Sequence, residues 1–189
     1  MVRKIAFGGL FALLAIFFLS ACAPTICPEG DKIKKNYSEQ SAPYSYQVNL
    51  SLRQGFLRIP LQVQKTEGKF TISGEGKVLD LSLNNMCLGG MCFELPIKTD
   101  GLIFGKVIRG DEKLSCGFNS VSFERDEGMY RTKYIFKDGK LSLVEFYDTK
   151  KNKTLRLNYL DWSKEGYVKV IRIEGESFSF LLTVDSLKF

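Results

Sequence analysis

The chain has 189 residues, 44% of them hydrophobic, with 27 basic and 21 acidic side chains and a formal charge of +6. That length suits a single domain, and the mild charge, without any five-residue basic block, gives nucleic acid no electrostatic footprint. Histidine is absent, which removes Ser-His and Cys-His nucleophile pairs and His-containing zinc sites.

Residues 1–21 read as a signal peptide. Arg3 and Lys4 form a positive start, and residues 5–19 form an apolar run. The run falls short of the roughly 20 residues that span a bilayer and matches the apolar core of a secretory signal. Leu19, Ser20, Ala21 and Cys22 follow. This quartet resembles the lipobox of bacterial lipoproteins. The resemblance implies that Cys22 is acylated and becomes the mature N-terminus. One acyl chain anchors only marginally, at about 0.8 kcal/mol per buried CH₂, whereas two or three hold firmly. The expected partner is therefore a membrane, reached through the lipid anchor. Ala23, not aspartate, follows the cysteine. By the sorting rule of well-studied bacteria this implies the outer membrane, facing the periplasm, with inner-membrane retention as the alternative. Loss of residues 1–21 leaves 25 basic and 21 acidic side chains.

Residues 22–43 carry no clear periodicity and read as a tether, with a short helix over residues 31–40 as the alternative. From residue 44 the pattern changes. "YSYQVNLSLR" alternates apolar and polar side chains, the period of a half-buried strand. Pro60 marks an edge or bulge. "KFTIS" follows Glu67 and Gly68, and "KVLDLSLN" follows Gly76. In the middle, residues 100–109 space Leu102, Ile103, Lys106 and Val107 as one short helix would, with Thr99 or Asp100 as cap and Gly110 as stop. The second half returns to strands, with Asp138 and Gly139 as a tight hairpin signal. Nine or ten antiparallel strands and one or two helices result. So wide a sheet must curl.

If Cys22 is acylated, Cys27, Cys87, Cys92 and Cys116 remain. An even number beyond the inner membrane permits disulfides. A Cys87–Cys92 bridge across two glycines is one reading; other pairings or free thiols are the alternatives. A metal site has poor support, because C-x₄-C lacks a second matching pair. No catalytic residue, metal or cofactor is read from the chain, and it is not expected to be an enzyme. Trp162, the one tryptophan, lines a mouth or packs a strand end.

The order of these features resembles the LolA/LolB-type lipoprotein carriers and their LolB-like relatives. It comprises a lipobox, a strand meander, "LPIKTDGLIFGKVIRG", then "YIFKDGKL" and "LNYLDW", then two long final strands. The resemblance covers residues 44–189. It implies a mainly β fold, a curled antiparallel sheet forming an unclosed half-barrel with one or two short covering helices. It also implies binding of acyl chains or lipid, with a role in lipoprotein localisation to the outer membrane. The alternative is a structural or accessory envelope lipoprotein without carrier activity. The alternation supplies the candidate cavity-liners: Val48, Leu50, Leu61, Val63, Leu79, Leu81, Tyr134, Phe136, Leu157, Tyr159, Phe178, Phe180 and Leu182. A carrier needs an accessible apolar cavity among them; a structural domain fills that space with its own side chains.

Overall fold

A computed structural model describes residues 27–74, 85–88, 91–94 and 97–189, with backbone alone for residue 74 and for the segments 85–88 and 91–94. In chain order come α1 (Pro28–Tyr37), a 3₁₀ turn (Glu39–Ser41), β1 (Tyr46–Gln54), β2 (Leu57–Thr66), β3 (Lys69–Gly74), β4 (Asn85–Leu88) and β5 (Met91–Glu94). Then follow α2 (Thr99–Phe104), β6 (Lys113–Cys116), β7 (Val121–Asp126), β8 (Tyr130–Lys137), β9 (Lys140–Asp148), β10 (Lys153–Trp162), β11 (Val168–Glu174) and β12 (Ser179–Lys188).

Ten strands form one antiparallel sheet in the order β3-β2-β1-β12-β11-β10-β9-β8-β7-β6. Every neighbour follows in sequence except β1 beside β12, which brings the two halves of the meander together. Among the described residues β3 and β6 do not pair, so the protein is an unclosed half-barrel with short helices. β4 and β5 form a separate hairpin. Pro60 pairs with Ser51 of β1 and lies just past the last β2–β3 pair among the described residues, Leu61 with Gly74. The expected strand over residues 77–84 lies outside the described residues.

Two-residue alternation sets the core. Val48, Leu50 and Leu52 of β1, Ile59, Leu61 and Val63 of β2, and Leu155, Leu157 and Tyr159 of β10 all turn to the concave face and are buried. The residues between them are mostly exposed or half-buried.

Residues 28–41, which the sequence left between tether and short helix, take the helical form and join the domain. Proline begins α1, Glu29 and Asp31 lie in its first turn, and Lys34 and Lys35 in its last. That charge order complements the helix dipole. Ile33 is buried in the core. A disulfide between Cys27 and Cys116 fastens the start of α1 to β6, with Cα atoms 6.4 Å apart.

α2 is shorter than the expected helix. It stops at Gly105 rather than Gly110, because Gly105 takes a left-handed conformation (φ 66°). Any side chain there would also collide: an added Cβ would lie 2.8 Å from the Trp162 ring. Lys98 stands at the N-cap without a side-chain cap bond. All six residues of α2 are buried, so the helix fills the half-barrel rather than merely covering it.

Candidate functional site

The strands give the half-barrel two ends. One holds the start of β1, the end of β12, the β8–β9 turn and both helices. The other holds the β1–β2, β7–β8, β9–β10 and β11–β12 turns.

The helix-covered end is closed by a polar clasp inside an apolar plug. Asp100 of α2 accepts hydrogen bonds from Tyr46 (2.9 Å) and from the Lys65 ammonium (2.8 Å). Lys65 is 7% exposed and Asp100 8%. The ammonium also lies 5.2 Å from the centre of the Phe70 ring. Burial, then the charge and hydrogen bond of Asp100, hold the Tyr46 phenol protonated far above its ordinary range. From β10 the Tyr159 hydroxyl donates to the Gly101 carbonyl at 2.9 Å. Around this clasp pack Ile97, Leu102, Ile103, Phe104, Val107 and Ile108. Trp162 belongs to the packed strand end: it stacks on Tyr159, meets Tyr37 edge-on, and its indole N–H donates to the Leu141 carbonyl.

A second buried group sits deeper on the concave face. Arg125 donates to the Tyr134 hydroxyl (3.0 Å) and pairs with Glu112 and Glu127. Glu112 accepts the backbone N–H groups of Arg109 and Gly110, closing the loop after α2. Burial outweighs the nearby Arg125 charge and pushes the Tyr134 phenol up to about 12.

These contacts decide where the candidate liners stand. Val48, Leu50, Leu61, Val63, Tyr134, Phe136, Leu157, Tyr159, Phe180 and Leu182 are all buried in the continuous core. Val48 and Leu157 have no exposed surface at all, so neither borders a water-sized void. Phe178 alone among the described candidates is half-exposed. Leu79, Leu81 and Cys22 lie outside the described residues, as do the side chains of Cys87 and Cys92. The backbone does set Cys87 opposite Cys92 across the β4–β5 hairpin.

The concave face remains open at its other end. A cleft of about 260 Å³ is lined by Tyr130, Phe146, Leu155, Gly175 and Phe178, with Asp148, Lys151, Lys153, Thr154, Glu176 and Ser177 around them. Register explains the grouping. Leu155 pairs with Phe146, and Lys153 and Tyr130 both pair with Asp148. Tyr130 stacks on Phe146 with ring centres 5.0 Å apart. Phe178 lies against the Gly175 backbone, where an added Cβ would come within 2.4 Å of the ring. Asp148 organises the rim by accepting the backbone N–H groups of Lys150 and Lys151, both at 3.0 Å. The Lys151 N–H, then that of Lys150 and the Lys151 charge, outweigh desolvation and hold its carboxyl below the usual range.

Sequence reasoning found Phe178 but missed Phe146 and Leu155. The available signal was the alternation itself: Leu155 stands two residues before Leu157 on the same face. Only the turn geometry shows the role of Asp148.

No protein-family model matches the chain, and no curated protein matches it. Among solved structures, a LolA superfamily protein from Nitrosomonas europaea superimposes with a TM-score of 0.49 at 13% identity, over 84% of this chain and 92% of the other. Similarity at this level assigns neither a family nor a ligand to this chain.

Proposed function

We propose that this domain binds a single acyl chain at the open end of its half-barrel, as a lipid-anchored lipoprotein on the periplasmic side of the outer membrane. Handling of lipoproteins or other lipids bound for that membrane is the role this implies. The observation that carries the reading is the cleft: an aromatic and aliphatic floor continuous with the concave face, under a rim bearing Lys151 and Lys153. An apolar tail suits that floor, and on a rim that also carries Glu176 and Asp148, the latter paired with Lys151, Lys153 can meet an acidic head. At roughly 30 Å³ per water-sized unit the cleft takes on the order of eight or nine chain carbons. At about 0.8 kcal/mol per methylene these contribute roughly 7 kcal/mol, before ordering costs are subtracted. Dissociation constants of tens of micromolar or weaker follow.

The chain lacking residues 1–22 tests this by titration with a fluorescent fatty acid and with an acylated peptide. Saturable binding that Phe146→Asp removes supports the reading. Absence of binding to both ligands sinks it. Charge at Leu157 or Phe180 would test only the core, since both side chains are enclosed.

A second reading, an accessory envelope lipoprotein without cargo, draws on the filled helix-covered end. It gains if neither ligand binds while the fold is intact.

A further inference from the structure

Phe118 is fully solvent-exposed (101%) at the tip of the turn between β6 and β7. A single exposed apolar side chain is ordinary on a protein surface; what singles out Phe118 is where it stands. Its position in the covalent framework is unusual. Cys116, two residues earlier, is joined to Cys27, and Cys27 is five residues from the lipobox cysteine, Cys22. Five residues span at most about 18 Å. An acylated Cys22 therefore holds the Cys27–Cys116 corner within about that distance of the bilayer.

The next turn adds charge. Val121 pairs with Phe136, which sets the β8–β9 turn beside the Phe118 turn. Lys137 and Lys140 flank that turn, and both are exposed, with Asp138 between them. An exposed aromatic ring next to lysines suits the headgroup layer of an anionic membrane. Phe56, equally bare (110% exposed), tips the β1–β2 turn at the opposite end of the strands. β8 alone, with eight residues, separates the two ends by about 27 Å.

We infer that the domain stands on the anchoring leaflet by its helix-covered end, with the Phe118 turn as a second membrane contact beside the acylated Cys22. The cleft then opens away from that leaflet, and its ligand enters from the aqueous side. The inference uses the anchor at Cys22 but not the identity of the cleft's ligand, so it stands or falls apart from acyl-chain binding.

The test uses the full lipidated protein in phosphatidylglycerol-containing vesicles with lipid brominated on its acyl chains, which quenches tryptophan that enters the bilayer. Phe118→Trp and Phe56→Trp are compared, with the wild-type signal from half-buried Trp162 subtracted. Both sites are exposed turns, so neither substitution disturbs the core. Quenching of the Trp at position 118 at least threefold stronger than at position 56 is expected. Equal quenching, stronger quenching at 56, or none at either position overturns the inference. So does an intact mass without added lipid on Cys22.

Discussion

The two ends of the half-barrel are built from the same alternating strands and differ in what occupies their concave face. At one end α1, α2 and residues 97–108 supply the filling, and a buried ion pair fixes α2 in place. At the other end no helix of the described residues enters, and Tyr130, Phe146, Leu155 and Phe178 meet a cleft. The difference shows that a curled sheet makes a concave face but does not decide whether that face becomes core or binding site. The segments inserted between strands decide it. Stability and ligand contact are therefore divided between the ends, and substitutions should separate them.

The largest effect is expected at the clasp. Asp100→Ala leaves the Lys65 ammonium buried beside Tyr46 and Phe70 without its carboxylate, which costs about 3–5 kcal/mol. Urea unfolding measures it. A loss under 1 kcal/mol would mean that α2 is not held by this pair. Cys27→Ser with Cys116→Ser comes next. The bridge closes a sequence separation of 89 residues, and its loss should cost about 2–5 kcal/mol. The cost should appear equally when the wild type is unfolded with reductant.

Alkali tests the buried phenols of the filled end. The folded Tyr134 keeps its proton up to about 12, whereas an unfolded tyrosine loses it near 10. Between those values the folded state binds more protons, so stability falls as pH rises. Below pH 10 the contribution is fully present. The loss through this window should reach roughly 2–3 kcal/mol. Tyr134→Phe should flatten that part of the profile, and an unchanged slope would place the titration elsewhere.

The smallest effect on stability is expected at the open end. Phe178 is half-exposed, so Phe178→Ala should cost about 1 kcal/mol, well below the about 3–5 of a fully enclosed phenylalanine. It should nonetheless weaken acyl-chain binding about tenfold. Gly175→Ala, which displaces the Phe178 ring, should act the same way. If either substitution destabilised as strongly as the clasp variant, the cleft would be part of the core and the contrast between the ends would collapse.

Much of the fold was legible because strand alternation is a local property. "YSYQVNLSLR" announces β1 and its buried face without reference to any partner, and Asp138 with Gly139 announces a hairpin. The boundary of α2 was less legible. Gly105 and Gly110 both offer a stop, and the close approach to Gly105 comes from Trp162 at the end of β10 and Tyr37 at the end of α1. The Cys27–Cys116 pairing was similarly hidden, since nothing local relates residues 89 positions apart.

By itself the sequence determined the strand pattern, the curl that so wide a sheet requires, and which side chains share a face. These follow from backbone pleating and hydrophobic period, both set within a few residues. Only the tertiary structure decided which part of the shared face is filled. Leu157 and Leu155 sit two residues apart on one side of β10, yet one has no exposed surface and the other lines the cleft. The reason is packing. α2 and its flanking segment fill only the half of the concavity where the buried Lys65–Asp100 pair holds them.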